Sequence, residues 1–278
     1  MMRSKLRYGR IAYVNVLPVE AAFDAGVVTR DVEVFGAVPA QLNAAMSDGR
    51  IDAGAISAAH FLANPGRFAR IADLCIAADG PVRTVLFVSP KPPALLGDAT
   101  VAVTSHSASG RALLAALLRR FPDVRPRYEV VEDALGAARA GRPALVIGDD
   151  ALVARAELPQ AQIHDLGDAW RGWTGLPFVF AVWAVRRETL EARPDEVAAL
   201  SDALVAGRAW GEANRPAVID AAVAAKRYHR GLYDDYFTRV SYRLDDRALR
   251  GLEHFEQLLR QAQGDNVNAQ DDNVDVAR

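Results

Sequence analysis

The stretch D-L-G-D-A-W-R-G-W-T-G-L-P-F-V-F-A-V-W-A-V, residues 165–185, decides how we interpret the chain. Its second half, Leu176 to Val185, is apolar, rich in β-branched and aromatic residues, and uncharged. A run of about ten such residues is typical of a strand buried on both faces, and it is too short for a membrane helix, which needs about 20. We therefore predict that this strand crosses between two lobes.

The polar half of the same stretch is predicted to be a loop at the meeting point of the lobes. Trp170 and Trp173 stand beside glycines there, and Thr174 follows. Large rings next to bare backbone commonly form the wall of a pocket. The alternative is an ordinary core strand preceded by a helix cap.

Before this strand, short apolar runs alternate with helical stretches in the same order twice, which predicts two βαβαβ units. The first unit has strands at 6–12, 31–35 and 51–56 and helices at 18–25 and 39–47, and the second has strands at 100–104, 127–131 and 144–147 and helices at 111–121 and 133–140. The fold class is therefore α/β, with two lobes joined by two crossing strands.

The outgoing crossing is predicted at residues 82–88, because a stiff proline-rich connector, Ser89 to Pro93, follows it. Lobe 1 then comprises residues 1–88 and 180–263, and lobe 2 comprises residues 89–179. Residues 264–278 contain no aromatic residue and repeat Asn, Asp and Gln, so we expect a disordered tail.

Composition favours a small ligand over a large anionic partner. The 278 residues include 33 basic and 35 acidic side chains, a net charge of -2, so neither nucleic acid nor an anionic membrane is expected as a partner. The single cysteine, Cys75, cannot form an internal disulfide, and the N-terminal residues lack the apolar segment of a signal peptide. We expect a cytoplasmic protein, monomeric or homodimeric.

Polar side chains follow several predicted strands. In open α/β sheets, ligands bind beyond the carboxyl ends of the strands, where the starts of helices favour anions. The hydroxyl-rich segment 105–110 either holds a carboxylate or phosphate there or simply caps a helix. The candidate binding residues are Asn15, Ser57 and Thr84, together with Ser105, Ser107 and Ser109.

The residues offer two candidates for a proton carrier and no site for a cofactor. His106 lies in the hydroxyl-rich loop, and Asp149 follows a strand, although an exposed loop histidine and a helix cap are the simpler explanations. The histidines show no metal-ligand spacing, and neither a P-loop nor a GxGxxG motif is present. We therefore expect neither a metal nor a nucleotide cofactor.

Several motifs together resemble the chorismate dehydratases of the futalosine route to menaquinone. The resemblance covers about Arg7 to Phe255. The motifs are Ile11–Pro18, Asp79–Val82, Leu145–Leu152, Asp165–Trp170 and Trp173–Trp183.

This resemblance implies a fold like that of type II periplasmic binding proteins and a reaction without cofactor or metal. The implied reaction removes water from chorismate, a dicarboxylate, to give 3-[(1-carboxyvinyl)oxy]benzoate. It also implies that Asn15 and Thr84 hold the ring carboxylate, with Thr84 in a position where the family has serine. Ser107, Ser109 and the loop from Trp170 to Gly175 are implied to face the cleft.

Two alternative functions share this fold. A sister enzyme on the same fold makes 1,4-dihydroxy-6-naphthoate, but the Ser-Pro-x-Pro-Asn-Asp type of first loop is absent from Tyr13 to Pro18. A non-catalytic small-anion binding protein, either a transport protein or the sensing domain of a regulator, would share the two lobes. A secretion signal, a lipid-anchor cysteine or a DNA-binding helix pair would favour that class.

Overall fold

The computed structural model describes residues 4–226 and 229–275, with side chains for all of these except 161, 226 and 263–275. The strands are β1 (Leu6–Ile11), β2 (Val32–Ala37), β3 (Ala53–Ser57), β4 (Phe68–Ala78), β5 (Val85–Val88), β6 (Thr100–Thr104), β7 (Arg127–Val131), β8 (Ala144–Ile147), β9 (Ile163–Asp165), β10 (Phe178–Arg186) and β11 (Val240–Arg243). The helices are α1 (Leu17–Asp24), α2 (Pro39–Ser47), α3 (Ala58–Ala63), α4 (Ala108–Leu118), α5 (Ala134–Arg139), α6 (Gly148–Glu157), α7 (Leu166–Thr174), α8 (Arg187–Ala192), α9 (Pro194–Ala213), α10 (Arg215–Lys226), α11 (Arg230–Arg239) and α12 (Asp246–Asp275).

The strands form two sheets with matching topology. The first sheet has the order β11-β4-β10-β3-β1-β2 and the second β7-β6-β8-β5-β9. In each, parallel strands come from a βαβαβ unit, and one antiparallel strand, β10 or β5, lies beside the last of them. The predicted two-lobed α/β fold and both βαβαβ units are confirmed.

The crossings between the lobes lie closer to the first sheet than predicted. β5 pairs with β8 and β9, so residues 85–88 belong to lobe 2, and the proline-rich connector lies within that lobe. β10 pairs with β3 and β4 from Phe178 onward. The crossings are thus the short segments 79–84 and 175–177 rather than strands. Apolar runs mark β5 and β10 as buried strands, but they do not specify which sheet each strand joins.

Asp165 fixes the first crossing to lobe 2. Its carboxylate accepts hydrogen bonds from the backbone N–H groups of Val82 at 3.0 Å and Arg83 at 2.7 Å, and also caps α7. Arg83 has a φ of 70°, a left-handed conformation that is strained for a residue with a side chain. Burial raises the pKa of the Asp165 carboxyl group. The four backbone N–H groups that donate to the carboxylate lower this pKa, but the effect of burial is larger. The carboxylate therefore holds this bend in place.

The predicted loop at residues 170–175 is wrong, because these residues form the end of α7 and its cap. Gly175, with a φ of 72°, ends the helix in a left-handed conformation. Leu166, Trp170 and Trp173 recur at helical spacing, and this periodicity outweighs the glycines that suggested a loop.

A buried polar network anchors the return strand in lobe 1. Trp183 Nε1 donates to the Tyr8 hydroxyl at 2.8 Å, and that hydroxyl donates to Glu20 Oε1 at 2.7 Å. Arg30 pairs with the other oxygen of Glu20 at 2.7 Å. Burial, reinforced by the Glu20 charge, raises the pKa of Tyr8 well above its usual value. Trp183, Tyr8 and Glu20 thus each have a partner in this core, as burial requires, whereas Arg30 Nη1 has no hydrogen-bond partner among the described residues.

Helices α1 and α9 pack with their backbones in contact. A Cβ atom added at Gly207 would collide with the Val19 carbonyl oxygen, and one added at Gly211 would lie 2.8 Å from the Pro18 carbonyl carbon. Real Cβ contacts are essentially never shorter than 3.0 Å. The two glycines, one helical turn apart, therefore set the distance between these helices.

After β10 the chain is mainly helical, with α8 to α12 and the strand β11, which pairs with β4. The last helix, α12, continues as far as Asp275, so the tail predicted to be disordered, 264–278, lies partly in this helix and partly outside the described residues. Across the described ranges, no helix is both long and apolar enough to cross a membrane.

Candidate active site

A cleft lies between the carboxyl ends of the parallel strands of both sheets. The space between its walls, with the open solvent at its mouth included, is about 920 Å³. Its walls are mostly apolar, with a few hydroxyl, amide and carboxylate groups. The polar residues that line it are Tyr13, Asn15, Ser57, Thr84, His106, Ser107, Ser109, Asp149, Tyr233 and Tyr236. The strand-end rule thus correctly located the cleft.

Asn15 lies in a turn of 3-10 helix, Val14–Val16, directly after β1. Its side-chain oxygen Oδ1 is buried and accepts no hydrogen bond from the described residues. A buried amide group without a partner is costly unless a ligand provides one. The position at the cleft wall therefore points to a binding role.

Ser57 ends β3 and is 6% exposed. Its hydroxyl oxygen accepts hydrogen bonds from the Asn43 amide at 3.0 Å and from the His60 backbone N–H at 3.2 Å. The second of these bonds caps α3. Ser57 reaches the cleft as predicted, with both acceptor positions of its hydroxyl already used.

The start of α4 faces the cleft from lobe 2. Ser107 is the N-cap, and its Oγ accepts from the Gly110 backbone N–H at 3.1 Å. His106 also lines the cleft although it is exposed to solvent. Ser105 is exposed and does not line the cleft, so the structure does not bring it together with the other candidates. It lies between the end of β6 at Thr104 and the N-cap of α4 at Ser107.

Ser109 lines the cleft, but its hydroxyl joins the two lobes. The side chain is 3% exposed, donates to the Phe180 carbonyl at 2.8 Å and accepts from the Ala59 backbone N–H at 3.1 Å. Phe180 and Ala59 belong to lobe 1, whereas Ser109 belongs to lobe 2. The single hydrogen of the hydroxyl is therefore already donated, and the predicted hydrogen bond from Ser109 to a substrate does not fit this geometry.

Replacing Ser109 with alanine is expected to lower the free energy of unfolding by about 2 kcal/mol, because a buried carbonyl and a buried N–H lose their partner. Urea titration of the purified protein measures the change. The matched control is Ser107→Ala, which removes one helix cap on the same turn and costs about 1 kcal/mol. Equal losses for the two variants would contradict a bridge between the lobes at Ser109.

Thr84 lies at the end of the first crossing and lines the cleft. Its hydroxyl lies close enough to Tyr236 on α11 to lower the pKa of that phenol, and it donates to the Val82 carbonyl over a long 3.5 Å. Burial raises the pKa of Tyr236 to about 12. The phenol thus stays protonated at neutral pH and forms a pair of neutral hydroxyl groups with Thr84.

Asp149 occupies the first turn of α6 and lines the cleft. Burial and then the charges of Asp149 and Asp150 raise the pKa of Tyr13, and Asp149 also contributes to the raised pKa of Tyr236. The carboxylate therefore lies close enough to both phenols to influence their ionisation.

Trp170, Trp173 and Thr174 do not line the cleft, contrary to the prediction. Trp170 is fully buried, donates through Nε1 to the Pro177 carbonyl at 3.2 Å and packs edge-on against Phe178. The Thr174 hydroxyl donates back to the Trp170 carbonyl at 2.9 Å. The aromatic rings belong to the core beneath the second crossing because α7 places them on its inner face.

The sequence interpretation missed Tyr233 and Tyr236, which cover the cleft from α11. With Phe237 they recur at spacings of three and four residues, a helical apolar stripe that identifies an inward face. Among the described residues, no group of three or more His, Cys, Asp or Glu side chains is placed to hold a metal ion.

Comparisons with known proteins agree on one family. Residues 6–261 match a family model described as menaquinone biosynthesis. A chorismate dehydratase from Thermus thermophilus is 33% identical over 263 residues, which cover 89% of this chain and 92% of that protein.

Solved structures show the same fold at lower identity. A protein from Archaeoglobus fulgidus is 16% identical with a TM-score of 0.75, covering 95% of this chain and 99% of that chain. The periplasmic aliphatic sulphonate binding protein SsuA from Escherichia coli is 15% identical with a TM-score of 0.64, covering 94% of this chain and 93% of that chain. The predicted periplasmic-binding-protein-like fold is confirmed.

Proposed function

The chain belongs to the menaquinone biosynthesis family, and from that premise we propose that it is a chorismate dehydratase. The reaction eliminates water from chorismate and gives 3-[(1-carboxyvinyl)oxy]benzoate, which makes the protein a carbon–oxygen hydro-lyase. The identity to the Thermus thermophilus enzyme over most of both chains supports this substrate. No electrons are gained or lost, so the reaction as written needs no redox cofactor.

One geometric observation supports the proposal. Asn15, Ser57 and Thr84 meet Ser107 across a single cleft whose remaining walls are mostly apolar. Chorismate is a small apolar ring with two carboxylates, so it needs uncharged walls and hydrogen-bond donors from two directions. The opposed lobes supply both.

We assign the ring carboxylate to Asn15 and Thr84. Loss of the C3 proton moves negative charge through the ring toward this carboxylate before the C4 hydroxyl leaves. Donors already in place stabilise that charge more in the transition state than in the bound substrate. The amide of Asn15, turned so that its nitrogen faces the ligand, and the Thr84 hydroxyl, whose own bond to the Val82 carbonyl is long, suit this role.

The second carboxylate, on the enolpyruvyl group, is assigned to the start of α4. This helix has 11 residues, and its first N–H groups and the Ser107 hydroxyl lie at the cleft. Helix starts present unsatisfied N–H donors and a favourable dipole to anions. The two lobes then each hold one end of the substrate.

Three groups are candidates for accepting the C3 proton: Asp149, His106 and a carboxylate of the substrate. Asp149→Asn and His106→Gln separate them, because removing a general base costs roughly 100- to 10,000-fold in kcat. If both variants stay within about threefold of the wild type, the substrate carboxylate is the base.

Incubation of the purified protein with chorismate tests the proposed function. Mass spectrometry is expected to show a product lighter by one water, and ultraviolet absorption to show a new aromatic ring. Binding of chorismate without turnover would refute the dehydratase and indicate a small-anion binding protein instead.

A further inference from the structure

Asn43 lies behind the cleft wall, on α2, and forms two hydrogen bonds with Ser57. Its Oδ1 accepts from the Ser57 backbone N–H at 3.1 Å, and its Nδ2 donates to the Ser57 hydroxyl oxygen at 3.0 Å. The backbone N–H can only donate, so it fixes which end of the amide faces it. The nitrogen of Asn43 therefore must point at the Ser57 hydroxyl.

This arrangement determines the direction in which the Ser57 hydroxyl bonds. Its oxygen accepts from Asn43 and from the His60 backbone N–H, and both of these groups are donors. A hydroxyl has two acceptor positions and one hydrogen, so only the hydrogen is left. Within the described part of the chain this hydrogen has no protein acceptor, and Ser57 lines the cleft.

We propose that Asn43 is a positioning residue that makes Ser57 an obligate hydrogen-bond donor to an acceptor oxygen of the substrate. The inference rests on the proposed function, in which that oxygen belongs to a carboxylate of chorismate. Asn43 is 7% exposed and is not among the cleft-lining residues, so it acts only through Ser57.

Ser109 and Ser57 differ in how their hydroxyl hydrogens are used. Its hydroxyl accepts one bond and gives its hydrogen to the Phe180 carbonyl, so nothing remains for a ligand. Ser57, with two incoming donors, is held in the opposite state. A ligand that offers a hydroxyl hydrogen at this position finds no acceptor, whereas a carboxylate finds a donor. The pair therefore contributes to specificity for anions.

The near-isosteric variant Asn43→Asp tests the proposal because it reverses the direction of the hydrogen bond between this side chain and the Ser57 hydroxyl. A carboxylate still accepts from the Ser57 N–H but cannot donate, so the Ser57 hydroxyl turns its hydrogen toward the carboxylate and away from the cleft. We expect kcat/KM for chorismate to fall roughly 10- to 100-fold, the effect of losing a hydrogen bond to a charged group.

The loss is expected to depend on pH in one direction. Burial raises the pKa of the introduced carboxyl group, and its protonated form donates to Ser57 as the amide did. Activity relative to wild type should therefore recover as the pH falls through this pKa and decline above it. His60, which interacts with the Asn43 backbone, and Arg67 are the ionisable groups that the described contacts place at this cluster.

Asn64→Asp is the matched control. Asn64 donates to the His60 backbone carbonyl at 2.8 Å, so this variant brings the same charge next to His60 without touching Ser57. It should keep wild-type kcat/KM at every pH. A recovery at low pH shared by both variants would assign the effect to His60 and overturn the proposal.

A double-mutant cycle separates positioning from general destabilisation. In a Ser57→Ala background, Asn43→Asp should cause no further loss of kcat/KM, whereas additive losses would overturn the proposal. If Asn43→Asp does not fold, Asn43→Ala completes the same cycle, with folding checked by circular dichroism. Wild-type protein that does not convert chorismate refutes the proposed function, whereas active wild type with an equally active Asn43→Asp refutes only this inference.

Discussion

Replacing Asn15 with alanine is expected to lower kcat/KM for chorismate about 100- to 1,000-fold, the usual effect of removing a donor that stabilises a developing oxyanion. The amide lies at the cleft wall and its oxygen has no partner among the described residues. It therefore has little role in holding the fold, and the loss should appear in kcat rather than in stability.

Steady-state kinetics with chorismate, together with thermal unfolding, measure this effect. Asn15→Asp should be at least as inactive, because it places a carboxylate against the negatively charged substrate. Asn214→Ala is the control, since Asn214 donates only to the Trp210 carbonyl at the end of α9. An Asn15→Ala enzyme within about threefold of wild-type kcat/KM would remove Asn15 from the mechanism.

Gly211→Val is expected to lower the free energy of unfolding by about 3–5 kcal/mol, which is a large part of the stability of an ordinary domain. The added side chain meets the Pro18 backbone, which cannot rotate away as a side chain can. Helix α9 must then move away from α1, and the close packing of both helices is lost. Chemical denaturation reports the change as a lower midpoint.

Gly172→Ala provides the matched comparison. Gly172 lies in α7 with no atom within 4 Å of an added Cβ. Alanine there should be neutral or should stabilise the protein by up to about 1 kcal/mol, because alanine favours helix more than glycine does. A similar loss for both variants would show that contact with α1 is not the reason glycine is needed at position 211.

Periodicity and the strand-end rule were enough to predict the two βαβαβ units and the place of the cleft. Asn15, Ser57 and Ser107 follow strands whose carboxyl ends lie at one edge of each sheet. The sheet topology therefore brings these three residues to the same cleft. The buried return strand was also predictable, because the run before Val185 has no polar residue that an exposed face would need, but its antiparallel pairing with β3 and β4 was not.

Contacts between side chains that are far apart in the sequence could not be predicted. Ser107 and Ser109 are alike in the sequence, but only Ser109 meets groups of the other lobe, and that contact depends on how the lobes pack. Likewise, Asn43 on a plain amphipathic helix gave no signal of its contact with Ser57. Tertiary contacts of this kind decide which hydroxyl groups remain available to a ligand.

The insertion of β10 between β3 and β4 has a consequence for synthesis on the ribosome. Every strand of the second sheet comes from residues 85–165, so this sheet can close while the nascent chain is still growing. The first sheet cannot, because its central strand begins at Phe178. Until then β3 and β4 expose unpaired edges, which readily pair with other chains. A stalled or truncated product that ends before Phe178 should therefore contain a folded second lobe attached to an aggregation-prone first lobe.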